Sequence, residues 1–182
     1  MTLKERYSKE ILPALAKELK IENPMAVPRV TSVTVSVGLS ANQKDPKFVE
    51  VTENPLRRIT GQKPLRTKAK QSISNFKIRQ GMVVGMRVTM RGTRMWHFLD
   101  KLLNVTFPRI RDFRGLPKTL IDGTGNVSVG FREFLPFPEI RPDEVERVHG
   151  LQVTITTTAG DKKKGYALLK ALGFPFKDKD KE

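Results

Sequence analysis

The sequence predicts an α/β protein in which helices alternate with strands. Residues 33–37, 86–91 and 151–158 each alternate apolar residues with hydroxylated, amide or cationic ones, which is the period of a strand that buries one face. Between these segments, apolar residues recur at helical spacing. The interleaving of the two periods indicates a mixed fold. The length of 182 residues favours one domain, predicted over residues 1–182.

Two helices are predicted in the first third of the chain. Thr2 and Glu5 have the spacing of a capping box, and Pro13 must kink the helix that follows or mark its true start. A second helix is predicted around residues 48–59. The Asn-Pro pair at residues 54–55 is expected to break it, with the asparagine as a new cap and the proline at the first helical position.

Two more helices and a short strand are predicted in the second half. Thr93 is the expected cap of a helix that ends before Pro108. A stretch rich in glycine, proline and phenylalanine follows, with one strand predicted at residues 127–131. The last helix has apolar residues between 167 and 172 and is predicted to stop at Gly173.

Residues 61–85 stand out because they contain few apolar residues. Glycine and proline punctuate this segment, and lysine and arginine alternate with glutamine, serine and asparagine. This composition predicts a short strand followed by a long exposed loop. Long loops inside compact domains usually carry function, so the loop is a candidate binding element.

The charge of the chain points to a polyanionic partner. Lys+Arg number 34 against Asp+Glu 19, a net charge of +15, and no acidic residue occurs between Glu53 and Asp100. A soluble surface normally mixes both signs to limit self-repulsion. A cationic segment of this length therefore predicts binding to nucleic acid, with a marked dependence on salt.

Folded RNA fits the pattern better than DNA. The sequence contains no helix-turn-helix, zinc-finger or basic-zipper pattern, whereas polar strand faces and an irregular basic loop suit the wide minor groove and 2′-hydroxyls of RNA. Within the loop, Phe76 is the candidate for an aromatic contact. It either stacks on a base or pins the loop to the core, and the sequence favours neither.

No catalytic, metal or cofactor site is predicted. With Cys at 0, thiolate metal sites, disulfides and cysteine nucleophiles are excluded. Gly160 and Gly165 have the spacing of a phosphate loop, but the lysine and hydroxyl residue that such a loop needs do not follow. His97 and His149 lack the short spacing of a zinc helix, and His97 is expected to be partly buried. No membrane span or secretory leader is expected either.

Two alternatives to a structural RNA-binding protein remain at this point. An RNA-modifying enzyme would need a titratable group beside the basic loop, and residues 57–96 contain no Asp, no Glu and no histidine. A general basic adaptor would bind RNA or acidic proteins through charge alone. Selective binding of one RNA over polyanions of equal charge would distinguish it from a specific protein.

A series of motifs resembles the bacterial-type ribosomal L-five family over nearly the whole chain. The motifs stand in the family's order: GQKP at residues 61–64, FKIRQG at 76–81, VTMRGTRMW at 88–96, PRIRDFRGL at 108–116, DGTGNVSVG at 122–130, FPEI at 137–140, ITTTA at 155–159 and GFPF at 173–176.

The resemblance implies a fold and a place of action. It implies a curved, mostly antiparallel sheet with helices packed on one face, while the other face meets 5S rRNA in the central protuberance of the large ribosomal subunit. Further implied partners are large-subunit rRNA, P-site tRNA, a small-subunit head protein and neighbouring ribosomal proteins of the protuberance. The implied role is structural, in translation, in the cytoplasm as part of the ribosome, without an enzymatic activity or a membrane.

The resemblance also implies three groups of contact residues. Gln62 and Thr89 match the glutamine and threonine of the family's RNA face. The full set expected to bind rRNA is Ser36, Arg57, Gln62, Lys63, Arg87, Thr89 and Arg91. The set expected in the tRNA-contacting loop is Lys68, Lys70, Ser72, Asn75, Phe76, Lys77, Arg79 and Gln80. The set expected near the intersubunit bridge is Arg109, Arg111 and Arg114.

Two departures from the family's pattern carry expectations of their own. Ser36 stands where the family usually has asparagine, so that an amide contact to RNA becomes a hydroxyl with fewer donors. The segment VTENPLRRIT at residues 51–60 replaces an alanine-rich helix, which predicts a shorter or bent element.

Overall fold

The computed structural model describes residues 1–39, 46–141, 143, 145 and 147–177. The chain divides into two compact units. Unit 1 consists of Met1–Val33, Met90–Val129 and Thr154–Glu182, and unit 2 of Thr34–Thr89 and Gly130–Val153. The single domain predicted from length stays a prediction.

In the part of the chain that the structure describes, five strands form one sheet in the order β2-β3-β1-β5-β4. Their bounds are Val30–Gly38 for β1, Leu65–Lys68 for β2, Val83–Met90 for β3, Val127–Phe131 for β4 and Leu151–Thr157 for β5. In β1, β3, β4 and β5, buried valine, methionine, leucine, isoleucine or phenylalanine residues alternate with more exposed positions. The predicted α+β class, with an antiparallel sheet and packed helices, is confirmed.

Among the described residues, five α-helices accompany the sheet: α1 (Leu3–Arg6), α2 (Leu12–Glu18), α3 (Pro46–Thr60), α4 (Gly92–Lys101) and α5 (Lys162–Leu172). The predicted capping box of α1 is confirmed, because Glu5 donates its N–H to the Thr2 hydroxyl and accepts from the Thr2 N–H. A π-helical turn at Tyr7–Ile11 joins α1 to α2, whose first turn contains Pro13. The chain stays helical through Pro13, and in the π-helical turn before it Leu12 donates its N–H to the Tyr7 carbonyl, so the regular α-helical bonding is already interrupted where the proline lacks a donor.

Helix α3 is continuous through Pro55, so the predicted break at residues 54–55 is wrong. Proline removes one backbone hydrogen bond and crowds the preceding turn, at a cost of about 3 kcal/mol. The helix buries Phe48, Leu56 and Ile59 nearly completely, and each such side chain contributes about 1.5–3 kcal/mol. Burial on one face outweighs the local penalty, which is why the helix continues.

Helix α4 begins two residues earlier than predicted. Arg91 is its N-cap in extended conformation, without a side-chain capping bond, and Thr93 is already the second helical residue. Gly92 has a φ of 60°, a left-handed conformation that glycine adopts readily. This turn leads the chain from β3 directly into the helix, so no threonine cap is needed. His97 is exposed rather than partly buried.

Unit 1 contains a close backbone contact between a turn and helix α5. Oδ1 of Asp122 accepts hydrogen bonds from the backbone N–H groups of Thr124 and Asn126, at 3.0 and 2.7 Å. Although desolvation raises the pKa of Asp122, the hydrogen bonds from Asn126 and Thr124 outweigh it and lower that pKa. The turn also brings Gly125 against Gly165 of α5, where a side chain on either glycine would meet backbone atoms of the other.

In unit 2, the imidazole of His149 packs on the ring of Phe134, with 4.4 Å between centroids. Its Nδ1 lies 3.2 Å from the Gly150 carbonyl, and its Nε2 is buried without a hydrogen-bond partner among the described residues. Burial lowers the pKa of His149 below the ordinary 6.5, although the bond to Gly150 opposes this. Burial in the folded protein therefore favours the neutral form of this imidazole.

We expect His149 to make the protein less stable as the pH falls. Below the unfolded-state pKa of 6.5 the unfolded chain takes up a proton that the native state resists. The free energy of unfolding then decreases with a slope of up to about 1.4 kcal/mol per pH unit. Urea unfolding between pH 7.5 and 5.5 should show a steeper decrease for the native sequence than for His149→Gln. Parallel decreases in the two proteins would contradict this assignment.

Candidate nucleic-acid interface

Strands β1 and β3 present a polar face in unit 2. Val35 and Val37 of β1, and Met86 and Val88 of β3, are buried. The alternate residues point to the other side, since side chains in a strand alternate between faces. On that side lie Thr34 and Ser36 of β1, half-buried, and Arg87 and Thr89 of β3, exposed.

Two contacts establish how these residues are paired. The hydroxyl oxygens of Thr34 and Thr89 lie 3.4 Å apart, and Leu39 donates its N–H to the Val84 carbonyl at 2.9 Å. Residue numbers therefore rise along β1 while those of the paired residues fall along β3, so the two strands are antiparallel. In this register Ser36 lies opposite Arg87.

The neighbouring strand β2 extends this row, because Leu65 pairs with Arg87 in an antiparallel register. Leu65 is 59% exposed, an apolar side chain at the edge of a polar face. We call this set of residues the polar strand patch: Thr34, Ser36, Leu65, Arg87 and Thr89.

The patch carries positive charge that no carboxylate within its strands offsets. None of β1, β2 and β3 contains an aspartate or glutamate. Arg87 supplies a guanidinium, and the threonines and Ser36 supply hydroxyls that can both donate and accept. The patch can therefore neutralise a phosphate and hydrogen-bond to a sugar within the same small area.

Residues beside β2 have different surroundings. Arg66 donates two hydrogen bonds to Oε2 of Glu53 in α3, at 2.7 and 3.1 Å, so this ion pair ties the edge strand to the helix. Arg57 and Lys63 are exposed and belong to the same unit. Gln62 is half-buried, and its side-chain Oε1 is buried without a hydrogen-bond partner among the described residues. A buried acceptor of this kind costs free energy unless a donor reaches it.

The basic loop between β2 and β3 is closed by its own hydrogen bonds. Ala69 donates to Met82 at 2.8 Å and accepts from Gly81 at 3.0 Å. Further out, Ile73 and Ile78 exchange two backbone bonds of 2.9 and 3.1 Å. Backbone hydrogen bonds thus pair the two sides of the predicted long loop, which is ordered rather than irregular.

The tip of the loop displays an aromatic ring. A 3-10 turn at Ser74–Phe76 ends at Lys77, whose φ of 53° is left-handed. Phe76 is 64% exposed, so the alternative in which it pins the loop to the core is wrong. The other loop residues predicted to contact tRNA are exposed as well: Lys68, Lys70, Ser72, Asn75, Lys77, Arg79 and Gln80.

The structure brings together only some of the predicted contact residues. Ser36, Arg87 and Thr89 lie on one face of unit 2. Arg91 belongs to unit 1, where it is exposed at the start of α4. The predicted bridge residues are also exposed in unit 1: Arg109, Arg111 and Arg114.

Two members of the patch were missing from the predicted set. Thr34 shares the strand period of Ser36, so the sequence alternation already placed it on the polar face. Leu65 gave no such signal, because its place depends on the pairing of β2 with β3.

The described part of the chain shows no cluster of three or more histidine, aspartate or glutamate side chains arranged to hold a metal ion. Within the same residues, every helix is too short or too polar to cross a membrane.

Comparison with known proteins identifies the family. A sequence profile for the C-terminus of the ribosomal L5 family matches residues 83–176, and one described as Ribosomal protein L5 matches residues 23–79. The chain belongs to the ribosomal protein L5 family. It is 51% identical to the large ribosomal subunit protein uL5 of Halothermothrix orenii, over 96% of this chain and 97% of the relative.

Other members of the uL5 family are similar to the same extent. The uL5 protein of a Roseiflexus species is 48% identical over 97% of this chain and 98% of its own, and that of Thermotoga maritima 47% over 96% and 95%. Membership confirms the resemblance seen in the motifs. As a uL5 protein, the chain is a structural component of the large ribosomal subunit rather than an enzyme, and it acts in the ribosome.

Proposed function

We propose that this uL5 protein binds 5S rRNA in the central protuberance through the polar strand patch. The observation that carries the proposal is the arrangement of Arg87, Thr89, Thr34 and Ser36 on one face of two paired strands without a carboxylate among them. A guanidinium neutralises phosphate, and hydroxyls fit ribose edges, so the patch recognises the shape of a folded RNA backbone.

Residues around the patch support the same function. Arg57 and Lys63 add exposed positive charge in the same unit. Gln62 is half-buried in the same unit, at the position that matches the glutamine of the family's RNA face. At Ser36 a hydroxyl takes the place of the family's usual asparagine, so that this position makes a smaller contact.

The experiment that tests this proposal is selective binding. The purified protein should bind 5S rRNA in the presence of an excess of an unrelated folded RNA of the same length, a polyanion of equal charge. If six to ten phosphates are contacted, affinity should fall by about 10³ to 10⁵ between 50 and 200 mM salt, with the duplex-DNA figure as an upper guide. Equal displacement by the unrelated RNA and by unlabelled 5S rRNA would overturn the proposal in favour of a general basic adaptor.

We further propose that the basic loop contacts P-site tRNA. The loop is held in shape by the bonds at Ala69 and between Ile73 and Ile78, and it displays Phe76 among exposed cations. Lysine and arginine neutralise phosphates without reading sequence, which suits a contact that must accept every tRNA. The exposed ring of Phe76 adds a surface for a base or sugar.

Neutralising three loop cations should weaken tRNA binding while leaving 5S rRNA binding intact. Three contacts of about 0.5 kcal/mol each correspond to roughly tenfold faster release of P-site tRNA. Dissociation of tRNA from ribosomes carrying the substitutions Lys70→Gln, Lys77→Gln and Arg79→Gln would measure this. Unchanged release of tRNA, or an equal loss of affinity for 5S rRNA, would contradict the proposal that the loop binds tRNA and the polar strand patch binds 5S rRNA.

For unit 1, we propose a contact with a protein of the small-subunit head. Arg109, Arg111 and Arg114 are exposed and lie within six consecutive residues of the segment joining α4 to β4. Clustered guanidiniums form bidentate bonds with carboxylates and suit a bridge that breaks and re-forms. Large-subunit rRNA and neighbouring proteins of the central protuberance complete the proposed set of partners, with Arg91 as a further rRNA contact.

A further inference from the structure

The hydroxyl pair in the polar strand patch is incompletely satisfied. The oxygens of Thr34 and Thr89 are 3.4 Å apart, whereas hydroxyl hydrogen bonds are usually about 2.7–2.8 Å long. Two hydroxyls also hold two protons and only one can be shared between them. Thr89 is exposed and Thr34 half-buried, so a ligand can reach the pair.

A second hydroxyl pair in unit 1 shows the contrast. Ser128 of β4 and Thr154 of β5 lie 3.0 Å apart, and both are half-buried. Their shorter bond is close to the normal length, so it already satisfies much of their bonding capacity. The hydrogen bond between Thr34 and Thr89 in unit 2 is longer and more exposed, so replacing it by bonds to a ligand costs little free energy.

We propose that Thr34, together with Thr89, recognises the 2′-hydroxyl of one ribose in the bound rRNA. This inference rests on the proposed binding of 5S rRNA to the polar strand patch, and it names Thr34 as a determinant of RNA over DNA. A 2′-hydroxyl both donates and accepts, and the pair offers a spare proton and lone pairs in return.

The neighbours of the pair fit this role. Arg87 stands two residues from Thr89 along β3, about 7 Å away, and its long side chain can reach the phosphate attached to the same ribose. Because β1, β2 and β3 contain no carboxylate, no acidic acceptor within these strands competes for the spare proton. A deoxyribose would leave the two hydroxyls with only their long mutual bond.

The test is 2′-deoxy interference on 5S rRNA. The RNA is transcribed with a low, random level of 2′-deoxyphosphorothioate nucleotides, bound to the protein, and the bound and free fractions are cleaved with iodine. With the native protein, at least one ribose should be required for binding. With Thr34→Val, which keeps the side-chain shape, that requirement should disappear and affinity for unmodified RNA should fall about 2- to 10-fold.

Two further variants make the result specific. Thr89→Val, at an exposed position, should remove the same requirement. Thr31→Val removes the hydroxyl of another exposed threonine of β1, which lies outside the polar strand patch, and it should keep the native pattern. One outcome is that the native protein binds 5S rRNA while Thr34→Val shows the same interference and an affinity within about twofold. That result would overturn the role of Thr34 and leave the proposed binding of 5S rRNA standing. If the native protein does not bind 5S rRNA, the proposed function fails with it.

Discussion

Replacing Gly165 by alanine should destabilise the protein by about 3 kcal/mol, at the upper end of the cost of overpacking. A Cβ at this position would lie 2.5 Å from both the Cα and the carbonyl oxygen of Gly125. Backbone atoms cannot rotate away as a side chain can, so either α5 or the turn at Gly125 must move. Alanine is otherwise the better helix former by about 1 kcal/mol, so a loss here reverses the usual sign.

Thermal unfolding measures this effect. For a protein of this size, 3 kcal/mol corresponds to a fall in Tm of about 6–12 °C. Gly123→Ala is the matched control, because a Cβ there meets nothing within 4 Å, and its effect should stay within about 0.5 kcal/mol. Equal stability of Gly165→Ala and the native protein would show that the two backbones are not in contact.

Reversing the charge of Arg87 should nearly abolish binding to 5S rRNA. Arg87 is the cation of the polar strand patch, opposite Leu65 in β2 and on the same face as Thr89. Loss of a charge-assisted contact alone is worth about 1.5–3 kcal/mol. In Arg87→Glu, the new carboxylate also repels the phosphate it faces, and we expect affinity to fall by at least about 100-fold.

Lys9→Glu provides the control for net charge. Lys9 is exposed in the N-terminal helical region, and its reversal changes the total charge by the same amount as that of Arg87. It should weaken binding only through the long-range field, by a few-fold at low salt and less at high salt. Filter binding at about 100 mM salt, where the Debye length is about 10 Å, compares the two variants. Similar losses in both would mean that total charge, and not the patch, determines affinity.

The strands could be predicted from sequence because their alternation is strong and local. Helix α3 could not, because the rule for Pro55 is local whereas the burial of Phe48, Leu56 and Ile59 that keeps the helix whole is tertiary. The start of α4 was misplaced for a related reason. A left-handed Gly92 replaces the expected threonine cap, and the sequence does not show backbone conformation.

The candidate site was predictable in composition but not in pairing. Alternation in β1 and β3 indicated hydroxyl and arginine side chains on one face, and that face is observed. The partnership of Thr34 with Thr89 depends on strand register, which no single segment encodes. Arg66 lies in the segment without acidic residues, and its ion pair with Glu53, just outside that segment, depends on the packing of β2 beside α3.

The bonds that close the basic loop have a consequence for the thermodynamics of assembly. Ordering one residue of a flexible chain costs about 1–2 kcal/mol of backbone entropy, and a loop that becomes ordered only on binding would subtract that amount from its affinity. Here backbone hydrogen bonds join Ile73 to Ile78, and Ala69 to Gly81 and Met82. The entropy cost of ordering the loop is therefore met when the free protein folds. Docking then resembles the meeting of two rigid bodies, with a small heat-capacity change and little temperature dependence.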